Sequence, residues 1–87
     1  MSTEAILTID SAAPPQRVLN VQGLSCPMPL LRAKLALSEL ASGEQLLVLA
    51  TDPHSVMDFE AFCSKTGHEL RAHDEADGVF RFLLRRK

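Results

Sequence analysis

Gly23-Leu24-Ser25-Cys26-Pro27-Met28-Pro29 decides the fold, because one periodicity gives way to another across it. Upstream, Arg17-Val18-Leu19-Asn20-Val21 reads as a strand. Downstream, from Pro27 to about Ala41, apolar residues recur at helical steps: Leu30, Ala33, Leu37, Leu40 and Ala41 share one face. Gly23 lets the chain turn between the two segments. Ser42-Gly43 is expected to end the helix, with Gly43 in the left-handed cap position.

Working outward, Gln45-Leu46-Leu47-Val48-Leu49-Ala50 is a near-continuous apolar run, as expected of a strand buried on at least one side. Asp52-Pro53 is expected to open a second helix, with Asp52 as N-cap and Pro53 in the first helical position. Val56, Phe59, Phe62, Cys63 and Thr66 form its inner stripe, and Gly67 its C-cap. Two more strands follow, His68 to His73 and Val79 to Arg85, joined by a hairpin turn at Ala76-Asp77-Gly78. The order β-α-β-α-β-β predicts an α+β fold. It is a two-layer α/β sandwich, with both helices packed on one face of a mixed four-stranded sheet. Residues 17–87 are expected to form a single domain. Residues 1–16 are expected to be a mobile N-terminal arm, since Pro14-Pro15 blocks regular pairing and only Ile6-Leu7-Thr8-Ile9 resembles a strand.

A chain of 87 residues supports one modest core and no deep catalytic cleft. The net charge of -2 gives no reason to expect nucleic-acid binding, and Arg85-Arg86-Lys87 reads as a solvated strand end. Trp and Tyr are absent, which removes the usual stacking platforms for bases or sugars. With only two cysteines and no CxxC spacing, a disulfide scaffold is not expected. Neither a signal peptide nor a membrane-spanning run is read, so the default expectation is a cytoplasmic protein with reduced thiols.

The chemistry concentrates at Cys26. It is placed at the first helix's N-cap, where Ser, Thr, Asp or Asn is usual, with Pro27 and Pro29 at the first and third helical positions. The prolines remove two amide donors and stiffen the turn. A Cys26 thiolate could accept from the Met28 amide, and the helix dipole favours negative charge there by about 0.3–1 kcal/mol. Both effects predict an exposed thiol of lowered pKa. A small apolar filler at a helix start is the plainer alternative for an isolated cysteine, and the two flanking prolines argue against it.

This stretch resembles the Cys-Pro-x-Pro signature of the TusA/SirA-like sulfur carriers. The resemblance runs from about Val18 to the C-terminus. It includes Leu24 before Ser25-Cys26-Pro27-Met28-Pro29, then Gly43, Thr51-Asp52-Pro53, Asp58, Phe62-Cys63, Gly67-His68-Glu69-Leu70 and the last strand from Phe80. It implies a persulfide on Cys26, with Gly23, Pro27, Met28 and Pro29 forming the supporting turn. It further implies a cytoplasmic protein that receives sulfur from a cysteine desulfurase or rhodanese-like donor. That sulfur would pass to an acceptor protein with a reactive cysteine, in tRNA thiolation, cofactor assembly or sulfur oxidation. No cofactor, membrane or direct nucleic-acid contact is expected, and the free chain is expected to be a monomer.

Other residues admit two readings each. Cys63 on the apolar stripe is a buried structural cysteine, or a second sulfur site or disulfide partner of Cys26. Lys34 and Asp52 are candidates for contact with a partner protein, or simply a solvated charge and a helix cap. Leu31 and Leu35 form an apolar docking patch if exposed, or pack against the second helix. His54, His68 and His73 lack metal-ligand spacing, and no metal site is expected. Competing with sulfur carriage are a non-catalytic regulatory module that docks through the Cys-Pro-x-Pro turn, and a Cys26–Cys63 redox switch.

Overall fold

The computed structural model describes residue 9 and residues 13–87. Most of the stretch expected to be an arm, including Ile6-Leu7-Thr8, lies outside the described residues. The elements run β1 (Arg17–Val21), α1 (Met28–Ser38), β2 (Gln45–Ala50), α2 (Ser55–Thr66), β3 (Glu69–Ala76) and β4 (Val79–Arg85). The expected order β-α-β-α-β-β is the observed one. The sheet order is β1-β2-β4-β3, with β1 parallel to β2 and the other two pairings antiparallel.

Alternation along the central strands fixes which face the helices cover. Leu46, Val48 and Ala50 of β2 stand opposite Leu84, Phe82 and Phe80 of β4 on one face. Ala33, Ala36 and Leu37 of α1 and Phe59, Phe62 and Cys63 of α2 close over that face to make one core. Phe59 is fully buried with its ring centroid 4.7 Å from that of Phe82. The β3–β4 hairpin turns at Asp77-Gly78, both with positive φ (52° and 82°), as a two-residue turn matched to strand twist requires.

Three boundaries differ from expectation. Helix α1 stops at Ser38 rather than near Ala41, because the last turn tightens: Ser38 Oγ donates to Leu35 O, and the Glu39 and Leu40 amides donate three residues back. Ala41 is therefore exposed. Gly43 does adopt φ +86°, but in the reverse turn Ala41–Glu44 that leads into β2, not as the α1 cap. Asp52 is not the N-cap of α2. The helix begins at Ser55 after His54, and the Asp52 carboxylate is engaged elsewhere. Gly67 ends α2 as expected, at φ +86° with its amide on Cys63 O. β3 also runs three residues past His73, with a register shift between Leu70 and Ala72.

Phe59→Ala is expected to cost about 3–5 kcal/mol and Phe59→Leu markedly less, measured as shifts in the urea midpoint at unchanged slope. Against a typical domain stability of about 5–15 kcal/mol, the alanine variant should be partly unfolded at 37 °C.

Candidate functional site

The strand-to-helix turn is held from the neighbouring β2–α2 loop. Leu24 N donates to Val21 O at 3.2 Å, turning the chain at Gln22-Gly23, where Gly23 has φ +84°. Gly23 N donates to Thr51 Oγ1 at 2.8 Å. Cys26 N donates to Asp52 Oδ2 at 2.6 Å. Thr51 and Asp52 follow β2 directly, and β2 lies beside β1, so the parallel pairing brings the two loops together at one sheet end. The resemblance marked Thr51-Asp52-Pro53 as a landmark, and its physical role is to brace the cysteine turn. Residue-level reading missed this bracket, because nothing local in the sequence links positions 26 residues apart.

Asp52 is buried, with its side chain 7% exposed. Its other oxygen accepts from His54 N at 3.1 Å and lies 3.2 Å from His54 Nδ1. These contacts overturn its assignment as N-cap of α2, and its burial leaves little of it for a partner to touch. The bond from the His54 amide, with those from Cys26 N and the His54 ring, holds the Asp52 carboxyl below its ordinary value of 3.8, against an opposing push from burial.

The helix start is also shifted. The N-cap is Pro27, not Cys26, and Pro29 falls in the second helical position. Met28 N donates to Ser25 O at 2.9 Å, so the expected bond from Met28 to a Cys26 thiolate is absent. Cys26 is exposed. Its pKa is raised, opposite to expectation. The Asp58 carboxylate accepts a hydrogen bond from the thiol, and burial and the charges of Asp58 and Asp52 push the same way. Asp58 stands in the first turn of α2. Sequence reading placed it as a landmark without a role. The free protein thus favours the protonated thiol.

Cys63 is buried against the core, and burial pushes its pKa up. It is part of the core cluster with Phe59 and Phe62. Met28, Leu31 and Leu35 are all exposed along α1, so Leu31 and Leu35 do not pack against α2. Met57 on α2 is exposed as well. Lys34 is exposed and, together with Asp58, lines a groove between the helices. Among the described residues no group of three metal-ligating side chains occurs, and no helix is long and apolar enough to cross a membrane.

The family model described as "Sulfurtransferase TusA" matches residues 17–86, from the start of β1 to just past β4. The chain belongs to the TusA family of sulfur carriers. It is 50% identical over 68 residues to the sulfur carrier protein TusA of Allochromatium vinosum, covering 78% of this chain and 90% of that protein. It is 40% identical over 73 residues to the sulfur carrier protein TusA of Pseudomonas putida strain GB-1, covering 84% and 91%. The crystal structure of a SirA-like protein from Desulfitobacterium hafniense superposes with a TM-score of 0.71 at 28% identity, over 79% of this chain and 95% of that one. The fold and the sulfur-carrier role therefore stand together.

Two outcomes follow from this geometry. Because the folded Asp52 carboxyl lies below its unfolded value, its stabilising contribution is complete above the ordinary 3.8 and is lost as pH falls through the depressed value. Acid denaturation followed by circular dichroism should therefore be shallower below pH 4 in Asp52→Asn than in the unmodified protein, around a lower neutral-pH stability. Asp58→Asn removes the anion facing the thiol, so the iodoacetamide alkylation profile of Cys26 should shift to lower pH, with faster alkylation at neutral pH.

Proposed function

We propose that Cys26 is the carrier atom of a sulfur relay, taking up sulfane sulfur as a persulfide and surrendering it to an acceptor thiol. The observation that carries the reading is an exposed cysteine on a turn whose backbone is held by the Thr51–Asp52 bracket, in a chain of the sulfur-carrier family. In the uptake step the Cys26 thiol gives up its proton and its sulfur attacks the outer sulfur of a donor persulfide. A new S–S bond forms on Cys26, the donor's S–S bond breaks, and the donor's thiolate leaves and takes a proton. Delivery repeats the exchange with an acceptor thiolate attacking the Cys26 persulfide. No net oxidant or reductant is consumed.

Asp58 is suited to receive the thiol proton during uptake, since it already accepts that hydrogen bond. A persulfide is more acidic than a thiol, so loaded Cys26 ionises more readily than empty Cys26 in the same surroundings. Gly23, Pro27, Met28 and Pro29 form the turn that presents the sulfur, and Lys34 is an exposed contact for a partner beside it. The donor is a cysteine desulfurase or rhodanese-like protein. The acceptor is a protein with a reactive cysteine in tRNA thiolation, cofactor assembly or sulfur oxidation, and the relay operates in the cytoplasm.

The test is to incubate the chain with a cysteine desulfurase and cysteine and then weigh it intact. One added sulfur mass is expected in the unmodified protein and in Cys63→Ala, and none in Cys26→Ala. Retention of the added mass in Cys26→Ala would overturn the assignment.

A further inference from the structure

The cations of this molecule are paired unevenly. On the strands, Arg17 pairs with Glu39 at the C-terminal end of α1, Arg71 and Arg85 with Glu69, and Arg81 with Asp74. Around the helices the pairing differs. Among the described residues, Lys34, Lys65 and Arg86 have no carboxylate within ion-pair distance; the Nε of Arg86, like that of Arg71 on β3, is buried without a hydrogen-bond partner.

These three cations border two adjoining clefts between the helices, which share Lys34, Phe62 and Thr66 and together make one groove. Its first part, about 280 Å³, is lined by Leu30, Lys34, Asp58, Ala61, Phe62, Lys65 and Thr66. Its second, about 240 Å³, shares Lys34, Phe62 and Thr66 and adds Leu37, Ser38, His68 and Arg86. The groove runs along α1 and α2 from Leu30 and Asp58, in their first turns, to His68 and Arg86 beyond their C-terminal ends. Its floor is apolar, and Asp58 is the one carboxylate among its lining residues. Burial first, and then the charges of Lys87 and Arg86, hold His68 below its usual range, so two cations stand at the far end beside a neutral imidazole.

We infer that the groove between α1 and α2 docks an extended, acidic segment of a partner protein, with carboxylates on Lys34, Lys65 and Arg86 and apolar side chains on Leu37 and Phe62. The inference rests on the persulfide reading of Cys26, since Asp58 at one end of the groove is the carboxylate that acts on that thiol. It deepens that reading by naming the chemistry of the partner. A segment lying there would lead to Cys26, whose nearby carboxylates would repel an acidic chain and so favour a neutral or cationic residue at that end. Several weak exposed pairs acting together give modest, salt-sensitive binding, suited to a carrier that must let go.

The probe is a synthetic peptide alternating Glu with Leu, titrated into the ¹⁵N-labelled protein at low salt and followed by amide chemical shifts. Expected are shifts concentrated at Lys34, Phe62, Thr66, His68 and Arg86, weakened by added salt. Charge reversal at Lys65→Glu with Arg86→Glu should weaken binding roughly tenfold. Because Arg86 is half-buried, the exposed pair Lys34→Glu with Lys65→Glu serves as a second variant, and dispersed spectra report folding in each. Three results would overturn the proposal: no shifts at low salt, shifts centred on Arg71 and Arg85, or equal binding of a Lys–Leu peptide. Loading of the Cys63→Ala variant from inorganic polysulfide, weighed separately, reports on Cys26 alone. Loading without peptide binding rejects the groove, whereas failure to load rejects the persulfide reading.

Discussion

The backbone N–H of Cys26 donates to a carboxylate of the neighbouring β2–α2 loop, on Asp52, and that carboxylate is buried. A buried anion is tolerated only when donors surround it. Asp52 has the Cys26 amide, the His54 amide and the His54 ring. These bonds tie the turn before α1 to the turn before α2, so the two helix entrances form one unit. Since β1 and β2 are parallel neighbours, both strands deliver their C-terminal ends to the same edge, and the two loops meet there without any long connection. The position of the sulfur is thus a consequence of sheet topology, transmitted through one charge-assisted hydrogen bond.

The same constraint accounts for the unusual helix start. In an ordinary helix the residue before the first turn caps it with its own side chain. Here the cap is Pro27, which has no such side chain, and the Met28 amide turns back to Ser25 O. The cysteine side chain is relieved of any capping duty and stays on the surface. Prolines at 27 and 29 remove amides that would otherwise need partners, and Asp52 satisfies the amide of Cys26 itself.

Much of this was legible in the sequence, and the exceptions share a cause. Strand and helix order, the Gly67 cap and the buried stripe of Phe59, Phe62 and Cys63 follow from local periodicity and residue chemistry, and they stand in the structure. The expectations that failed are those in which a residue's local role was displaced by a distant partner. Asp52 reads as an N-cap in its own segment, yet it is drawn to Cys26. Gly43 reads as a helix cap, yet its amide bonds Arg86 O, across the chain in β4's continuation. The pKa of Cys26 was misjudged for the same reason. Its own helix argues for a lowered value, while Asp58, 32 positions away on another helix, raises it. Position 58 was visible as a family landmark, but not its partner.

That raised pKa bears on how a carrier avoids useless chemistry. A thiolate free in solution is open to oxidation and to any electrophile. A raised pKa keeps Cys26 protonated and so less open to both. The charge arrangement along the helix face then has a simple logic. Anionic groups, Asp52 and Asp58, cluster at the sulfur, and unpaired cations, Lys34, Lys65 and Arg86, lie along the groove leading away from it. A docking surface attractive to acidic chain and a sulfur that disfavours its own anion are opposite requirements. Separating them along a single groove lets one small domain satisfy both.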